Sequence, residues 1–319
     1  MLNKNDGLPL VSILIPVFNR EEFIGETITS ALSQTYRNIE VIVVDNASTD
    51  NTWSVCSHYA NSDSRVKIYR NEQNLGPVNN WKKCIYYASG IYAKILWSDD
   101  LISSDYVEKT MSIFNDDIGF VFTSVVINDS FEKKDKVYYK YGDTGLYSSI
   151  RYIHDSVLMG ELPVSPGCAM FRLSDLKKNL VSEIDSPSFH DFANHGAGPD
   201  LLLFLLTALH YPYVGFINEP LSFFREHGGS ISLQMKRIDL YDRYQQARLW
   251  FSYHFLPKEI QIKISSITWV QRLFLTREIN QPSIIKKLYG DKIKLPTAIN
   301  ALTFFLHRVL KKIRQNMYK

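Results

Sequence analysis

Cysteine is scarce in this 319-residue sequence, which has only Cys56, Cys84 and Cys168. Three widely spaced cysteines form neither a disulfide framework nor a zinc-binding pattern, so we expect a reducing compartment. Long apolar runs are also missing: the longest, residues 201–209, is much shorter than the roughly 20 residues that span a membrane. Because residues 1–10 are mostly polar, we expect no signal peptide.

Glycine-rich phosphate-binding motifs are absent as well. The sequence has no G-x-G-x-x-G after its first apolar run and no G-x-x-x-x-G-K-[ST]. These absences exclude a dinucleotide-binding fold of the usual kind and a P-loop. A nucleotide bound here would need another group, such as a metal ion, to hold its phosphates.

The composition is that of a soluble globular protein, with 45% hydrophobic and 22% charged residues. The formal net charge of +3 hides an uneven distribution. Residues 292–319 contain seven Lys or Arg and no Asp or Glu, which leaves 29 basic and 33 acidic residues in 1–291. We predict a mildly acidic body with a basic C-terminal segment, and we expect no nucleic-acid partner.

Apolar runs alternate with helical periodicities through the first hundred residues. Asn19 and Glu22 have the spacing of a capping box for the first helix. Strands that are apolar throughout and alternate with helices indicate a mainly parallel sheet covered on both faces. The predicted strands are 11–17, 39–44, 66–70 and 93–97, and the predicted helices extend to about residues 34, 60 and 88.

Polar side chains follow the predicted strands: Asn19, Asp45, Asn74 and the adjacent pair Asp99 and Asp100. In a parallel sheet, ligands bind outside the carboxyl ends of the strands, where these side chains would converge. Two carboxylates directly after an apolar strand indicate a divalent cation with oxygen ligands, because burying two unpaired charges is costly. A polar turn after the strand is the alternative.

The second half of the sequence lacks this regular alternation. Residues 129–141 are predicted to be a charged connection, and residues 185–200 a long surface loop. Asp200 then stands as an N-cap candidate for the apolar helix 201–209. The other predicted elements are helices 105–114, 239–254 and 258–315 and strands 118–127, 168–172 and 216–224.

Seven short segments occur in a fixed order between residues 9 and 232: 11–19 (VSILIPVFN), 43–50 (VVDNASTD), 74–76 (NLG), 97–100 (WSDD), 167–172 (GCAMFR), 199–203 (PDLLL) and 224–227 (FREH). In this order they resemble the family 2 glycosyltransferases with the GT-A fold, particularly bacterial enzymes that build surface polysaccharides of the O-antigen or capsule type. The resemblance implies an α/β fold with a Rossmann-like sheet. It also implies a nucleotide-sugar donor, most often a UDP-sugar, and inversion at the anomeric carbon.

The resemblance further implies roles for individual residues. Mn²⁺ or Mg²⁺ would be held by Asp99, Asp100 and His227. Asp200 would be the catalytic base that deprotonates the acceptor hydroxyl. The nucleotide would be bound by residues that line the donor pocket, namely Pro16, Phe18, Asn19, Glu22, Asp45, Asn74, Asp99 and Lys82 or its neighbour Lys83.

Trp97 and Pro199 depart from the family's pattern, which usually has acidic residues at both positions. The sugar or ribose contact usually supplied at the first position would therefore come from elsewhere. These departures motivate an alternative, a degenerate sugar-nucleotide-binding partner protein without catalysis. A sugar nucleotidyltransferase is disfavoured because residues 16–21 (PVFNRE) are not a Gly-rich loop.

We expect a GT-A catalytic domain over residues 1–232, with a nucleotide-binding half (1–100) and an acceptor half (101–232), and a helical C-terminal region over 233–319. From residue 297, apolar residues recur at helical spacing among several Lys and Arg, which predicts a basic amphipathic helix. That helix would lie on an anionic membrane or pack against protein, and a lipid-linked glycan acceptor favours the membrane. We therefore expect a cytoplasmic protein, peripheral on the inner face of the plasma membrane; homo-oligomerisation stays open.

Overall fold

The structure, a computed structural model, describes residues 7–129, 134–158, 162–185, 192–229 and 234–276. The strands are β1 (Val11–Val17), β2 (Ile39–Asp45), β3 (Val66–Arg70), β4 (Tyr92–Ile95), β5 (Leu101–Ile102), β6 (Ile118–Asp129), β7 (Lys134–Tyr138), β8 (Gly145–Ser148), β9 (Ala169–Arg172) and β10 (Tyr213–Arg225). The helices are α1 (Ile24–Leu32), α2 (Thr52–Ser62), α3 (Pro77–Tyr87), α4 (Tyr106–Ile113), α5 (Ser149–Leu158), α6 (Leu173–Asn179), α7 (Phe192–His195), α8 (Pro199–Ala208), α9 (Arg237–Phe255) and α10 (Lys258–Thr276).

The strands of the described residues form one sheet. Its neighbours follow the order β3-β2-β1-β4-β9-β6-β10-β5, with β7 beside β6 and β8 beside β10. β1 to β4 pair in parallel, as do β6 and β10, whereas β9 inserts antiparallel between β4 and β6. The predicted α/β architecture, with a mainly parallel sheet flanked by helices, is confirmed.

Helices cover both faces of the sheet. The central strands β1 and β2 are therefore buried along their whole length. One core, which includes Leu14 and Phe204, lies under α3, α5, α6, α8 and α9. The other core, which includes Ile13 and Ile28, lies under α1, α2 and α4. Neighbouring β1 residues thus enter opposite cores, as the alternation of side chains along a strand requires.

Local predictions in three places are wrong. The capping box does not form, because Asn19 binds a residue of another loop and α1 begins only at Ile24, without a side-chain cap. The connection 129–141 contains β7, which forms a hairpin with β6. The predicted loop 185–200 includes α7 and the start of α8, and Asp200 lies inside α8 after Pro199, a residue well suited to a first helical turn.

The helices α9 and α10 pack directly on the rest of the fold. α9 contacts α8, and α10 contacts both α9 and α5. Ala247, Phe251 and Ile264 belong to the same core as the leucines of α8. The amphipathic helix predicted from residue 297 and the end of the predicted helix 258–315 lie outside the described residues. None of the described helices combines the length and the apolar character that a membrane span requires.

Candidate active site

The polar loops after β1, β2 and β3 are joined by hydrogen bonds. The backbone N–H of Asn19 donates to Ser48 Oγ (2.9 Å), and Asn19 Oδ1 accepts from the backbone N–H of Thr49 (2.9 Å). Asn46 Nδ2 donates to Asn74 Oδ1 (2.8 Å). Asn19 has a φ of 50°, a left-handed conformation that Asn tolerates better than most residues. The structure therefore brings these strand ends to one edge of the sheet.

Asp45, at the end of β2, is a fully buried carboxylate with a cationic partner. Arg70 Nε lies 3.1 Å from Asp45 Oδ2, and the backbone N–H of Ser48 donates to Asp45 Oδ1 (3.0 Å). The parallel register of β2 and β3 sets Arg70 directly beside Asp45. The guanidinium compensates the buried negative charge, which otherwise would be costly. The predicted contact of Asp45 with a nucleotide base stays a prediction.

The first carboxylate after β4, Asp99, meets residues from two distant segments. Asp99 Oδ2 lies 2.8 Å from His227 Nε2 and 3.3 Å from Arg20 Nε. Arg225, at the end of β10, donates from Nε to the Asp99 carbonyl oxygen and from its backbone N–H to Asp100 Oδ1 (3.0 Å). The antiparallel pairing of β5 with β10 explains this meeting. Two of the residues predicted as metal ligands, Asp99 and His227, are therefore in direct contact, and the third, Asp100, follows Asp99 in the chain.

Asp100 is buried, and its surroundings differ from those of Asp99. Burial, and then the negative charge of Asp99, raise the pKa of Asp100 well above its usual range. Behind it lies the fully buried Lys94, whose Nζ donates to the Gly167 carbonyl oxygen and lies 4.6 Å from the ring centroid of Tyr106. Burial lowers the pKa of Lys94 to about 7. The end of β4 therefore has two buried ionisable side chains, Lys94 within the strand and Asp100 after it.

Trp97, at the first position of the WSDD segment, supports the neighbouring turn. Its indole Nε1 donates to Ser165 Oγ (2.9 Å), and its ring packs on Trp81 with centroids 4.8 Å apart. A Cβ atom added at Gly167 would lie only 2.6 Å from Trp97 Nε1. The absence of a side chain at Gly167 therefore allows this close packing.

Asp200, in the first turn of α8, is a buried carboxylate with neutral donors. Its Oδ1 accepts from the backbone N–H groups of Gly198 (2.8 Å) and Leu201 (2.7 Å), and its Oδ2 accepts from the Tyr244 hydroxyl (2.7 Å). Burial raises the pKa of Asp200 to about 7, although these hydrogen bonds oppose the rise. At neutral pH this carboxyl group can exchange a proton.

The remaining predicted site residues lie in varied surroundings. Pro16 is buried within β1, whereas Phe18 is 38% exposed and Glu22 is exposed. Lys82 Nζ donates to Ser182 Oγ (2.7 Å), and Lys82 and Lys83 line a surface cavity on α3. The nucleotide-binding roles of these residues stay predictions.

Four residues at these sites were given no role by the sequence. Arg20, Arg225 and Arg70 supply cations or N–H donors to the carboxylates, and Tyr244 binds Asp200. Arg20 and Arg225 stand next to motif residues, and Arg70 ends the strand that pairs with β2, so position and register could have indicated them. Tyr244 has no comparable signal, because α9 lies beyond every motif.

Solved structures with a similar fold include S. aureus TarS residues 1–349 in complex with UDP-GlcNAc. The superposition has a TM-score of 0.58 and covers 86% of this chain and 89% of that chain, at 15% sequence identity. At this identity the likeness shows the fold alone, which is that of the GT-A glycosyltransferases.

The family follows from the sequence itself. The sequence model described as "Glycosyl transferase family 2" matches residues 12–180, more than half of the chain. The chain therefore belongs to glycosyl transferase family 2.

Curated relatives match shorter stretches of the chain. An uncharacterized glycosyltransferase of Haemophilus influenzae is 37% identical over 106 residues, which are 33% of this chain and 42% of that protein. The UDP-Glc:alpha-D-GlcNAc-diphosphoundecaprenol beta-1,3-glucosyltransferase WfgD of Escherichia coli is 36% identical over 123 residues, 38% of this chain and 48% of that protein. The matches thus span less than half the length of either relative.

Proposed function

We propose that this chain transfers a sugar from a nucleotide-sugar, of the UDP-sugar class, to a hydroxyl group of a growing surface glycan, with inversion at the anomeric carbon. The observation that carries the proposal is the state of Asp200. It is buried, it receives hydrogen bonds from neutral donors, and its pKa is raised to about 7 by burial. A general base works best when its pKa lies near the operating pH.

The proposed reaction is a single displacement. Asp200 accepts the proton of the acceptor hydroxyl while the hydroxyl oxygen forms a bond to the anomeric carbon of the donor. The bond from that carbon to the diphosphate oxygen breaks at the same time, and the nucleoside diphosphate leaves with the electron pair. One displacement from the opposite face inverts the anomeric carbon.

The donor is proposed to bind at the edge formed by the ends of β1, β2 and β4. Phe18, Asn19 and Asp45 would contact the nucleoside, in keeping with the family resemblance. Arg20 and Arg225 contribute positive charge beside Asp99, where a diphosphate would be attracted. The names of WfgD and of the TarS complex refer to UDP-Glc and UDP-GlcNAc, which supports the UDP class.

A divalent cation, Mn²⁺ or Mg²⁺, is part of the proposal. Asp99 and His227 offer a carboxylate oxygen and an imidazole nitrogen at 2.8 Å, and both are donor types that Mn²⁺ accepts. Among the described residues, no group of three or more His, Cys, Asp or Glu is arranged to hold an ion alone. Asp100 and the donor diphosphate would complete the ligands. When bound, the ion would neutralise charge on the leaving diphosphate.

The acceptor is proposed to be a lipid-linked glycan of the O-antigen type, at the cytoplasmic face of the plasma membrane. The WfgD name contains a diphosphoundecaprenol-linked acceptor, and the basic segment after residue 297 suits an anionic surface. Flotation with anionic liposomes, with and without residues 297–319, tests the membrane part. The full chain should float and the truncated chain should not; equal flotation would contradict it.

The central experiment is a thermal-shift panel of nucleotide sugars with and without Mn²⁺, followed by an assay of nucleoside diphosphate release. A UDP-sugar should raise the melting temperature more with Mn²⁺, and release should accompany transfer. If no nucleotide sugar stabilises the protein, the donor assignment fails.

A degenerate sugar-nucleotide-binding protein is the second candidate. Trp97 favours it, since the indole at this position donates to Ser165 and offers no carboxylate to the sugar. Binding of a UDP-sugar without any release of diphosphate in the presence of acceptor glycans would support this alternative.

A further inference from the structure

The hydroxyl group of Tyr244 joins the C-terminal helix α9 to Asp200. Tyr244 lies 44 residues after Asp200 in the sequence, and both residues lie beyond the segment 12–180 that matches the family. Its hydroxyl oxygen is 2.7 Å from Asp200 Oδ2. A helix that follows the last of the seven sequence motifs thus contacts the proposed base directly.

The two carboxylate oxygens of Asp200 have different hydrogen-bond partners, and Tyr244 binds Oδ2. Oδ1 accepts from two backbone N–H groups, those of Gly198 and Leu201, which fix it in the first turn of α8. Oδ2 accepts from Tyr244. A carboxylate oxygen can accept two hydrogen bonds, so Oδ2 can bind Tyr244 and an acceptor hydroxyl together.

Packing holds Tyr244 in this place. On α9, Ala247 and Phe251 are buried in the same core as the leucines of α8, and Arg248 Nε donates to the Ser156 carbonyl oxygen (3.2 Å). Among the described residues, the titratable and charged groups that interact with Asp200 from the packed segments are Tyr244 and Arg248 of α9 and Tyr139 after β7. Tyr244 therefore has little freedom to leave the carboxylate.

We propose that Tyr244 is a positioning residue, which holds Asp200 Oδ2 toward the acceptor hydroxyl and stabilises the carboxylate anion, so that α9 is part of the catalytic unit. The inference rests on the proposed role of Asp200 as the base. If Tyr244 has this role, α9 contributes to catalysis, and the region 233–319 is not merely an appendage to the catalytic domain.

Loss of the Tyr244 hydroxyl has a defined consequence for the pH dependence. The hydrogen bond favours the charged form of Asp200 against the opposing effect of burial. Without it, the acid limb of the kcat profile should move up by about one pH unit. At pH 7 this shift alone would lower kcat about fivefold, and the loss should disappear near pH 9. The donor KM should not change, because Tyr244 is proposed to act on the acceptor side.

The test compares Tyr244→Phe with Tyr241→Phe. Tyr241 lies on the same helix, and its hydroxyl donates to the Thr268 carbonyl oxygen and contacts Gln271 Oε1, both on α10. We expect Tyr244→Phe to show the shifted acid limb with the parent's donor KM, and Tyr241→Phe to keep the parent's profile. A Tyr244→Phe profile that superimposes on the parent's, or an equal loss at every pH, would overturn the inference.

A second readout does not need activity. The pKa of folded Asp200 is raised, so the stability it contributes at low pH is lost as the pH rises toward that pKa. In Tyr244→Phe this loss should continue about one pH unit higher than in Tyr241→Phe, as followed by the melting temperature. Identical pH dependence of melting in the two variants would count against the inference.

The Asp200→Asn variant separates the two levels of the proposal. If Asp200→Asn is inactive while Tyr244→Phe behaves as the parent, the positioning role fails and the proposed function stands. If Asp200→Asn is as active as the parent, the proposed base itself is wrong.

Discussion

Two buried carboxylates, Glu40 at the start of β2 and Asp200 in α8, have pKa values shifted in opposite directions, although burial raises the pKa of both. Burial raises the pKa of Glu40, but hydrogen bonds from Lys67, Ser12 and Ser89 outweigh it and lower the pKa to about 2. The Lys67 ammonium is 2.8 Å from Glu40 Oε2. Asp200 has only neutral donors among the described residues, and its pKa is raised by burial to about 7.

The difference lies in the charge of the partners. A cation at hydrogen-bond distance favours the ionised form of a buried carboxyl group, whereas neutral donors only partly offset desolvation. Glu40 joins β1, β3 and the turn before β4 by accepting from Ser12, Lys67 and Ser89, which is a structural role. Asp200 retains a proton near neutral pH and can exchange it. Buried carboxyl groups whose pKa is raised toward neutral pH are candidates for acid–base chemistry.

The largest expected effect is that of Asp200→Asn on turnover. Removal of a general base should lower kcat by at least about 100-fold, while stabilisation of the protein by a UDP-sugar is kept. Release of nucleoside diphosphate and thermal shift measure the two effects. Asp116→Asn, an exposed position before β6, is the control and should match the parent. If Asp200→Asn turns over as fast as the control, Asp200 is not an acid–base group and does not differ in role from Glu40.

Asp99→Asn should affect the donor side. If Asp99 holds the cation, its loss should lower kcat/KM by roughly 10²-fold, and Mn²⁺ should no longer increase the thermal shift caused by a UDP-sugar. Asp117→Asn, also exposed before β6, serves as the control. An unchanged Mn²⁺ effect in Asp99→Asn would mean that the ion binds elsewhere.

Glu40→Gln should affect stability and not the reaction. Removing the charge from this hydrogen-bonded cluster should destabilise the fold by about 1–3 kcal/mol at pH 7. Because the folded pKa is lowered from 4.5 to about 2, the stabilisation is present above pH 4.5 and is lost as the pH falls toward 2. Denaturant unfolding at several pH values measures this. The exposed Glu72→Gln is the control, and equal stability of the two variants at pH 7 would contradict the structural role.

Much of the sheet could be predicted because its strands are continuous apolar runs. The observed limits of β1, Val11–Val17, agree with the prediction, and β2 differs only by including Asp45. β7 was missed because it is a short, mostly charged strand, and among the described strands it pairs with β6 alone. The capping box failed because Asn19 found a partner, Thr49, 30 residues away, and a local pattern cannot register such a competitor.

The candidate site was predictable where motif order and strand register act together. Asp99 and His227 are 128 residues apart, yet their motifs indicated a common site and the structure brings them within 2.8 Å. The contact between Tyr244 and Asp200 could not be predicted in this way, since it depends on how α9 packs on α8. The raised pKa of Asp200 likewise arises from three-dimensional burial.

The pH dependence of kcat, measured with a saturating UDP-sugar and acceptor, tests the central claim most directly. If Asp200 is the base, kcat should rise as one group with a pKa near 7 loses its proton, and it should then level off at higher pH. A kcat that is constant between about pH 5.5 and 8.5 would contradict the assignment of Asp200 as the catalytic base.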